Sequence, residues 1–122
     1  MKTTEFIAAH APVIIEGCHG GVGPFSFNDV LKGMDPDGYQ CIKFIHNNHI
    51  PPKTTFGIHQ HQGKKFEEWY YCLEGSGIVH LDGKDYVMNP GDIAVCRDGG
   101  VHGLTNNSDS DLHIIVICAK AE

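Results

Sequence analysis

No stretch of this 122-residue chain carries the hydrophobic pattern of a long helix, and this feature constrains its fold more than any other. Apolar residues do not recur with a 3.6-residue period over about ten or more positions. Instead, about eight to ten short β-rich runs alternate with turns built from Gly, Pro and Asn. The Asp82-Gly83 pair lies between two such runs and is a strong hairpin signal. The sequence therefore predicts an all-β sandwich or barrel.

Charge and composition exclude several classes of function. The formal net charge is −6 and the pI is near 5.8, so the chain lacks the basic surface that nucleic-acid binding needs. No apolar run approaches the roughly 20 residues that cross a bilayer, so we expect no membrane partner. The five cysteines form no C-x-x-C pair, and their odd number argues against a disulfide framework. We expect a single domain over residues 1–122 in the reducing cytoplasm.

A glycine-rich segment over residues 17–23 is the most unusual part of the first half of the chain. A phosphate-binding loop would open onto a helix, whereas residues 24–27 have an extended pattern. We therefore expect a loop of special backbone geometry near a site or a subunit contact, from which His19 could reach that site. The other histidines outside the motifs below are expected to be ordinary packed or solvated side chains: His10, His46, His49, His80 and His113.

A His-x-His pair, His59 and His61, begins a candidate metal site. Residues two apart on a strand project from the same face, so both imidazoles can meet one ion. A carboxylate on a neighbouring strand can join them, and Glu67 and Glu68 both stand at the start of the next apolar run. Whether this is a metal site depends on what the rest of the chain adds.

Two ordered motifs in the second half of the chain resemble those of the cupin superfamily. The first consists of Gly57, His59, His61, Glu68 and, six residues further on, Gly75. The second consists of Gly91, Gly99, His102 and Asn106, with Arg97 where the family usually has Pro. The spacer between His61 and Glu68 is longer than the family's usual three or four residues, and Gly57 lies closer to the histidines than the family pattern has it. The resemblance covers about residues 54–119.

This resemblance implies a single jelly-roll β-barrel over residues 54–119, preceded by N-terminal strands and loops over residues 1–50. It also implies a metal site with the ligands His59, His61, Glu68 and His102. We favour Glu68 over Glu67 because Glu68 keeps the six-residue spacing to Gly75. A mixed imidazole and carboxylate ligand set favours Mn or Fe, with Zn or Ni as alternatives, and one divalent ion per chain is expected.

Strand alternation extends the predicted site to neighbouring residues. Tyr70 and Cys72 share a face with Glu68, while Leu104 and Asn106 share one with His102. These four residues and Arg97 are candidates for substrate binding, and Glu67 and Tyr70 are candidates for acid–base catalysis. The opposite face of the same run is also apolar, with Trp69, Tyr71 and Leu73. An apolar outer face needs a cover, so we predict a homodimer or an N-terminal segment that packs over it.

Three functions remain open from the sequence. The first is an enzyme in which the metal chelates a small carboxylate or keto acid for decarboxylation or oxygenation, as the resemblance to oxalate-decarboxylase-like members with one cupin domain implies. The second is an isomerase or epimerase of sugars or sugar acids, which would need a more polar lumen than the sequence shows. The third is a non-catalytic module that binds a small molecule through its metal.

Overall fold

Ten antiparallel strands form the protein in a computed structural model that describes residues 3–34 and 38–121. The only helical segment in this part of the chain is a single 3-10 turn, Cys18–Gly20. The all-β prediction is therefore confirmed, and the jelly-roll architecture of the cupins fits the two-sheet arrangement. The strands are β1 Val13–Glu16, β2 Pro24–Asp29, β3 Ile42–Ile50, β4 Thr55–Gln60, β5 Phe66–Glu74, β6 Gly77–Leu81, β7 Lys84–Met88, β8 Ile93–Arg97, β9 Val101–Thr105 and β10 Leu112–Lys120.

The strands are divided between two sheets whose inner faces enclose the core. The larger sheet has the order β1-β2-β3-β10-β5-β8, and the smaller has the order β4-β9-β6-β7. Strand β10 shows how the sequence sets this arrangement, because Leu112, Ile114, Val116 and Cys118 are buried while the residues between them are partly exposed. A period of two with one apolar face turned inward is the pattern of a strand that covers a core.

Strand β3 is longer than the sequence indicated. In the sequence, a β-rich run over residues 40–45 is followed by the polar pair Asn47-Asn48, which predicts a break there, but β3 continues to Ile50. Asn47 and Asn48 lie opposite Ile115 and Ile114 of β10, so their backbone groups have ladder partners whatever their side chains prefer. The sequence Asp35-Pro36-Asp37-Gly38 is a strong turn signal, and this predicted turn lies largely outside the described residues.

The N-terminal strands extend the larger sheet and do not cover the outer face of β5. Strand β1 is at the opposite end of this sheet, with β2, β3 and β10 between it and β5. Tyr71 and Leu73 stay 41% and 37% exposed, so no N-terminal segment in the described part of the chain covers these two side chains. The sequence predicted that either an N-terminal segment or a partner subunit packs over this face, and the partner subunit is the alternative that remains. No helix among the described residues is long and apolar enough to cross a membrane.

Candidate metal centre

Two strands of the smaller sheet place three histidines at one point. His59 of β4 lies directly opposite His102 of β9. His61 follows the end of β4, and its backbone N–H donates to the carbonyl of Gly100, which holds it beside the same strand pair. A register shift between Phe56 and His59 shows that β4 bulges just before the motif, and bulges commonly re-aim side chains near sites.

The three imidazoles meet through their Nε2 atoms. His59 and His61 are 3.1 Å apart, His61 and His102 are 3.1 Å apart, and His59 and His102 are 3.2 Å apart, all between Nε2 atoms. Two nitrogens bound to one ion at about 2.1 Å lie about 3.0 Å apart at a right angle and about 3.4 Å apart at the tetrahedral angle. The observed spacing falls inside this range, so one ion can be shared by all three nitrogens.

The tautomer of His59 supports this fit. Its Nδ1 is 2.7 Å from the carbonyl oxygen of Gly57, and a carbonyl only accepts, so Nδ1 carries the proton. The Nε2 of a neutral His59 therefore presents a lone pair to the centre of the triangle. An imidazole oriented by a backbone carbonyl in this way is the usual arrangement of a metal-ligating histidine.

Glu68 approaches the three histidines from the larger sheet. Its Oε2 is 3.8 Å from Nε2 of His61, and its Oε1 is 3.8 Å from Nε2 of His102. Burial raises the pKa of Glu68 to about 7, and the hydrogen bond from the Tyr70 hydroxyl lowers it only in part. Burial, reinforced by repulsion from His59 and His61, lowers the pKa of His102 to about 3. The raised pKa of Glu68 describes a buried carboxylate without a compensating positive charge, which a divalent cation would supply, and the lowered pKa of His102 keeps its imidazole neutral, as a metal ligand must be.

Glu67, the alternative carboxylate, lies on the other face of β5. Its Oε2 is 3.8 Å from Nε of Arg97, whose guanidinium also lies 5.6 Å from the centre of the Trp69 ring. Arg97 is exposed, so this ion pair belongs to the outer surface. The structure therefore brings Glu68, and neither Glu67 nor Arg97, together with the histidines.

The remaining predicted site residues differ in their distance from the centre. The Tyr70 ring lies 4.9 Å from that of His102, between centroids, and its hydroxyl bonds Glu68. Asn106 is fully buried and anchors the chain, because its amide donates to the carbonyls of Ile50 and Ser110. Cys72 contacts the backbone at the far end of β5, and Leu104 packs in the core. Tyr70 is thus the one substrate-binding candidate that the structure places against the histidines.

Two further histidines border the site. The His19 ring stacks on His59, and His46 of β3 stacks on Phe44 with 4.0 Å between ring centroids. Both line a cavity of about 620 Å³ that opens onto His59 and His61 and whose walls also include Gln60, Gln62, Lys64, Phe66, Asp98 and Cys118. For His19, the glycine-rich segment over residues 17–23 had indicated from the sequence that this side chain could reach the site. His46 was expected to be an ordinary packed or solvated side chain, but β3 continues past Ile45, and alternation back from the buried Ile50 and Asn48 places His46 at the cavity wall.

Comparison with known proteins identifies the family of this chain. A cupin-domain family model matches residues 48–118. An oxalate-binding protein from Thermotoga maritima is 34% identical over 68 residues, which are 56% of this chain and 54% of that protein, so the match spans about half the length of this curated relative. The crystal structure of a predicted oxalate decarboxylase, also from Thermotoga maritima, superposes with a TM-score of 0.81 at 25% identity over 90% of this chain and 92% of the other.

A putative sugar phosphate isomerase from Acidithiobacillus ferrooxidans shares the fold, with a TM-score of 0.65 and 23% identity over 79% of this chain and 60% of the other. The family match covers more than half of the chain, and the three histidines of both motifs converge on one point in the structure. This chain belongs to the cupin family.

Proposed function

We propose that this cupin binds one divalent metal ion and uses it to chelate a small carboxylate or keto acid. The observation that carries the proposal is the triangle of Nε2 atoms with edges of 3.1–3.2 Å, faced by the Glu68 carboxylate. The oxalate-binding relative and the predicted oxalate decarboxylase among the similar structures support an acid as the ligand.

The ligands in this proposal are His59, His61, His102 and Glu68. Three imidazoles and one carboxylate favour Mn or Fe, with Zn or Ni as alternatives. When bound, the ion supplies Lewis acidity toward the oxygens of an acid. The chain's own groups complete the site, since Lys64 at the wall of the cavity offers a positive charge to an anion.

Tyr70 acts as a positioning group in this site. Its hydroxyl donates to Glu68, and burial raises the pKa of Tyr70 well above its usual range, so the phenol stays protonated. A neutral phenol cannot serve as a base, but it fixes the orientation of the carboxylate that it contacts. Glu67, paired with Arg97 outside the cavity, is a weaker candidate for proton transfer.

The reaction proposed is decarboxylation or oxygenation of the chelated acid. The test is elemental analysis of protein purified without added metal, followed by measurements of oxygen uptake and carbon dioxide release with a panel of small acids. Carbon dioxide release without oxygen uptake indicates a decarboxylase, and oxygen uptake indicates an oxygenase. If neither oxygen uptake nor carbon dioxide release is detected but an acid still binds in a metal-dependent way, the protein would be a metal-dependent binding module and not an enzyme.

A sugar or sugar-acid isomerase is the second candidate. Polar side chains line the outer part of the cavity beside the histidines, and Gln60, Gln62 and Asp98 can bond hydroxyl groups. The same protein tested against sugar acids, with product isomers separated by chromatography, distinguishes the two candidates. Isomer formation without gas exchange would favour this function.

We also propose that the functional unit is a homodimer built from single-domain chains. The N-terminal strands continue the larger sheet directly, which supports one domain over residues 1–122. Tyr71 and Leu73 form an exposed apolar patch on β5 that a second copy of the chain would cover. All five cysteines are free thiols, which supports a location in the reducing cytoplasm.

A further inference from the structure

A second cavity, of about 250 Å³, adjoins the metal centre on the side of the N-terminal strands. Its walls include four phenylalanines, Phe25, Phe27, Phe44 and Phe56, and we call this space the aromatic chamber. Phe25 and Phe56 lie 4.8 Å apart between ring centroids, and Val116 of β10 closes one wall. Oxalate or another small acid has no apolar part that could fill such a space.

The aromatic chamber and the larger cavity at the histidines share part of their walls. His19, Phe44, His46 and Glu68 line both spaces, so the two cavities meet at this group of side chains. Glu68 therefore faces the metal centre from one cavity and borders the chamber from the other. A ligand held at the three histidines by its acid group can extend an apolar part into the chamber.

The volume of the chamber sets the size of that apolar part. A cavity of about 150 Å³ lined by aliphatic and aromatic side chains is known to take up benzene. The 250 Å³ of this chamber accommodates one six-membered ring with a substituent, and is too small for a fused polycyclic group. Edge and face contacts with the four phenylalanines would favour an aromatic ring.

Asn48 adds a polar requirement inside this apolar space. It is only 3% exposed and lines the chamber, and its Oδ1 has no hydrogen-bond partner. A buried carbonyl oxygen without a donor is costly, and such groups are usually satisfied in the functional state. A rotation of the Asn48 side chain toward the chamber would let a hydroxyl group on the ring supply the missing donor.

We propose that the ligand of this site is a hydroxyl-bearing monocyclic aromatic acid, with its acid group at the three histidines and its ring among the four phenylalanines. This inference rests on the proposed function for its acid end. The ring end depends only on the aromatic chamber and on Asn48. Metal-free protein can therefore test the ring end alone.

The first test compares two keto acids that differ only in the apolar group. Phenylglyoxylate should bind Mn²⁺-loaded protein roughly ten- to a hundred-fold more tightly than pyruvate, because its phenyl ring moves from water into the aromatic chamber. Isothermal calorimetry measures both dissociation constants. Equal affinities, or a preference for pyruvate, would overturn the aromatic chamber as a ligand site.

The second test uses phenol on the metal-free chain, monitored by NMR shifts of residues around the chamber. Phenol should bind without metal, and Asn48→Leu should lower its affinity relative to toluene several-fold, since the acceptor is lost. A failure of phenol to shift these residues would overturn the inference. If phenol binds as expected but the binding of neither keto acid depends on metal, the proposed function is wrong and the aromatic chamber is still supported as a ligand site.

A cavity-filling variant provides the matched structural control. Val116→Phe places a ring inside the chamber, whereas Ile117→Phe adds the same bulk on the opposite face of β10. Val116→Phe should abolish the advantage of phenylglyoxylate and keep the affinity for pyruvate, while Ile117→Phe should keep both. Equal behaviour of the two variants would contradict the inference. Should Val116→Phe not fold, the comparison of keto acids on the unmodified chain still decides it.

Discussion

The imidazole of His19 lies flat against that of His59, with 3.6 Å between the ring centroids and 15° between the planes. This contact attaches the N-terminal loop to the candidate metal centre. The loop reaches that position because two glycines lack a Cβ: one added at Gly57 would collide with the carbonyl oxygen of His19, and one at Gly21 with that of Thr55. The stacked ring and the Gly57 carbonyl together hold the plane of His59.

The first prediction concerns this stacked pair. His19→Ala should weaken metal binding about ten-fold, because the ring of His59 loses one of the two contacts that orient it. Competition with a chromophoric chelator measures the affinity for Mn²⁺ or Zn²⁺. His19→Phe is the matched control, since it keeps a flat ring and should retain most of the affinity. Equal metal affinity in His19→Ala and the natural chain would show that the stack has no role in orienting His59.

The second prediction concerns the pair of histidines on β4 and just after it. Replacing His59 and His61 together by Ala removes two of the three converging Nε2 atoms, so stoichiometric metal should be lost. Elemental analysis of the purified variant measures this content directly. His49→Ala combined with His113→Ala removes a stacked pair away from the centre and should leave the metal content unchanged. Full metal in the first double variant would refute the assigned site.

The third prediction separates the two adjacent glutamates. Glu68→Gln should lower metal content strongly, because this carboxylate faces Nε2 of both His61 and His102. Glu67→Gln replaces the carboxylate of the preceding residue by the same amide. It should leave metal content near that of the natural chain, since Glu67 pairs with Arg97. Metal analysis of both variants decides the question, and a larger loss in Glu67→Gln would move the ligand by one position.

The sequence was informative where spacing alone determines geometry. His59 and His61 meet because residues two apart share a strand face, and His102 meets them because a second motif places it on the neighbouring strand. The same alternation placed Tyr70 beside Glu68, and the structure shows the hydrogen bond between them. These relations are local, or repeat a known order of motifs, so they can be predicted without coordinates.

The sequence was less informative where tertiary contacts override local preference. Two asparagines resemble a break, yet β3 runs through them because β10 supplies hydrogen-bond partners on one side. His46 and the aromatic chamber depend on that continuation, so neither was predicted. Arg97 occupies the position of a motif Pro, but its direction follows from its contacts with Glu67 and Trp69 on the outer face. Such contacts arise between distant residues and leave no short-range signal.

The fourth prediction is a pH dependence of the metal-free chain. His102 has a pKa of about 3 in the fold against an ordinary 6.5, so the unfolded state binds more protons and stability rises with pH across this window. Glu68 has a pKa of about 7 against an ordinary 4.5, so the folded state binds more protons and stability falls as pH rises from 4.5 to 7. The two effects oppose each other between about pH 4.5 and 6.5.

Glu68→Gln isolates the second effect. The free energy of unfolding of this variant, relative to the natural chain, should increase by about 1–3 kcal/mol between pH 4.5 and 7, since the variant has no carboxyl group to ionise. Urea unfolding in the presence of a chelator measures this difference at several pH values. Glu67→Gln should show a nearly constant difference over the same interval. A flat difference for Glu68→Gln would contradict the raised pKa of Glu68.

The last prediction concerns the outer face of β5. Tyr71 and Leu73 are exposed apolar side chains on a strand inside the larger sheet, and burying them against a second copy would remove that surface from water. Light scattering should show a dimer at micromolar concentration, and Leu73→Glu should shift it to a monomer, because the interface would bury an unpaired charge. Val87→Glu places the same charge at an exposed position on β7 of the smaller sheet and should leave the dimer intact. A natural chain that is monomeric under these conditions, or a dimer that Leu73→Glu does not weaken, would show that this face is not the subunit interface.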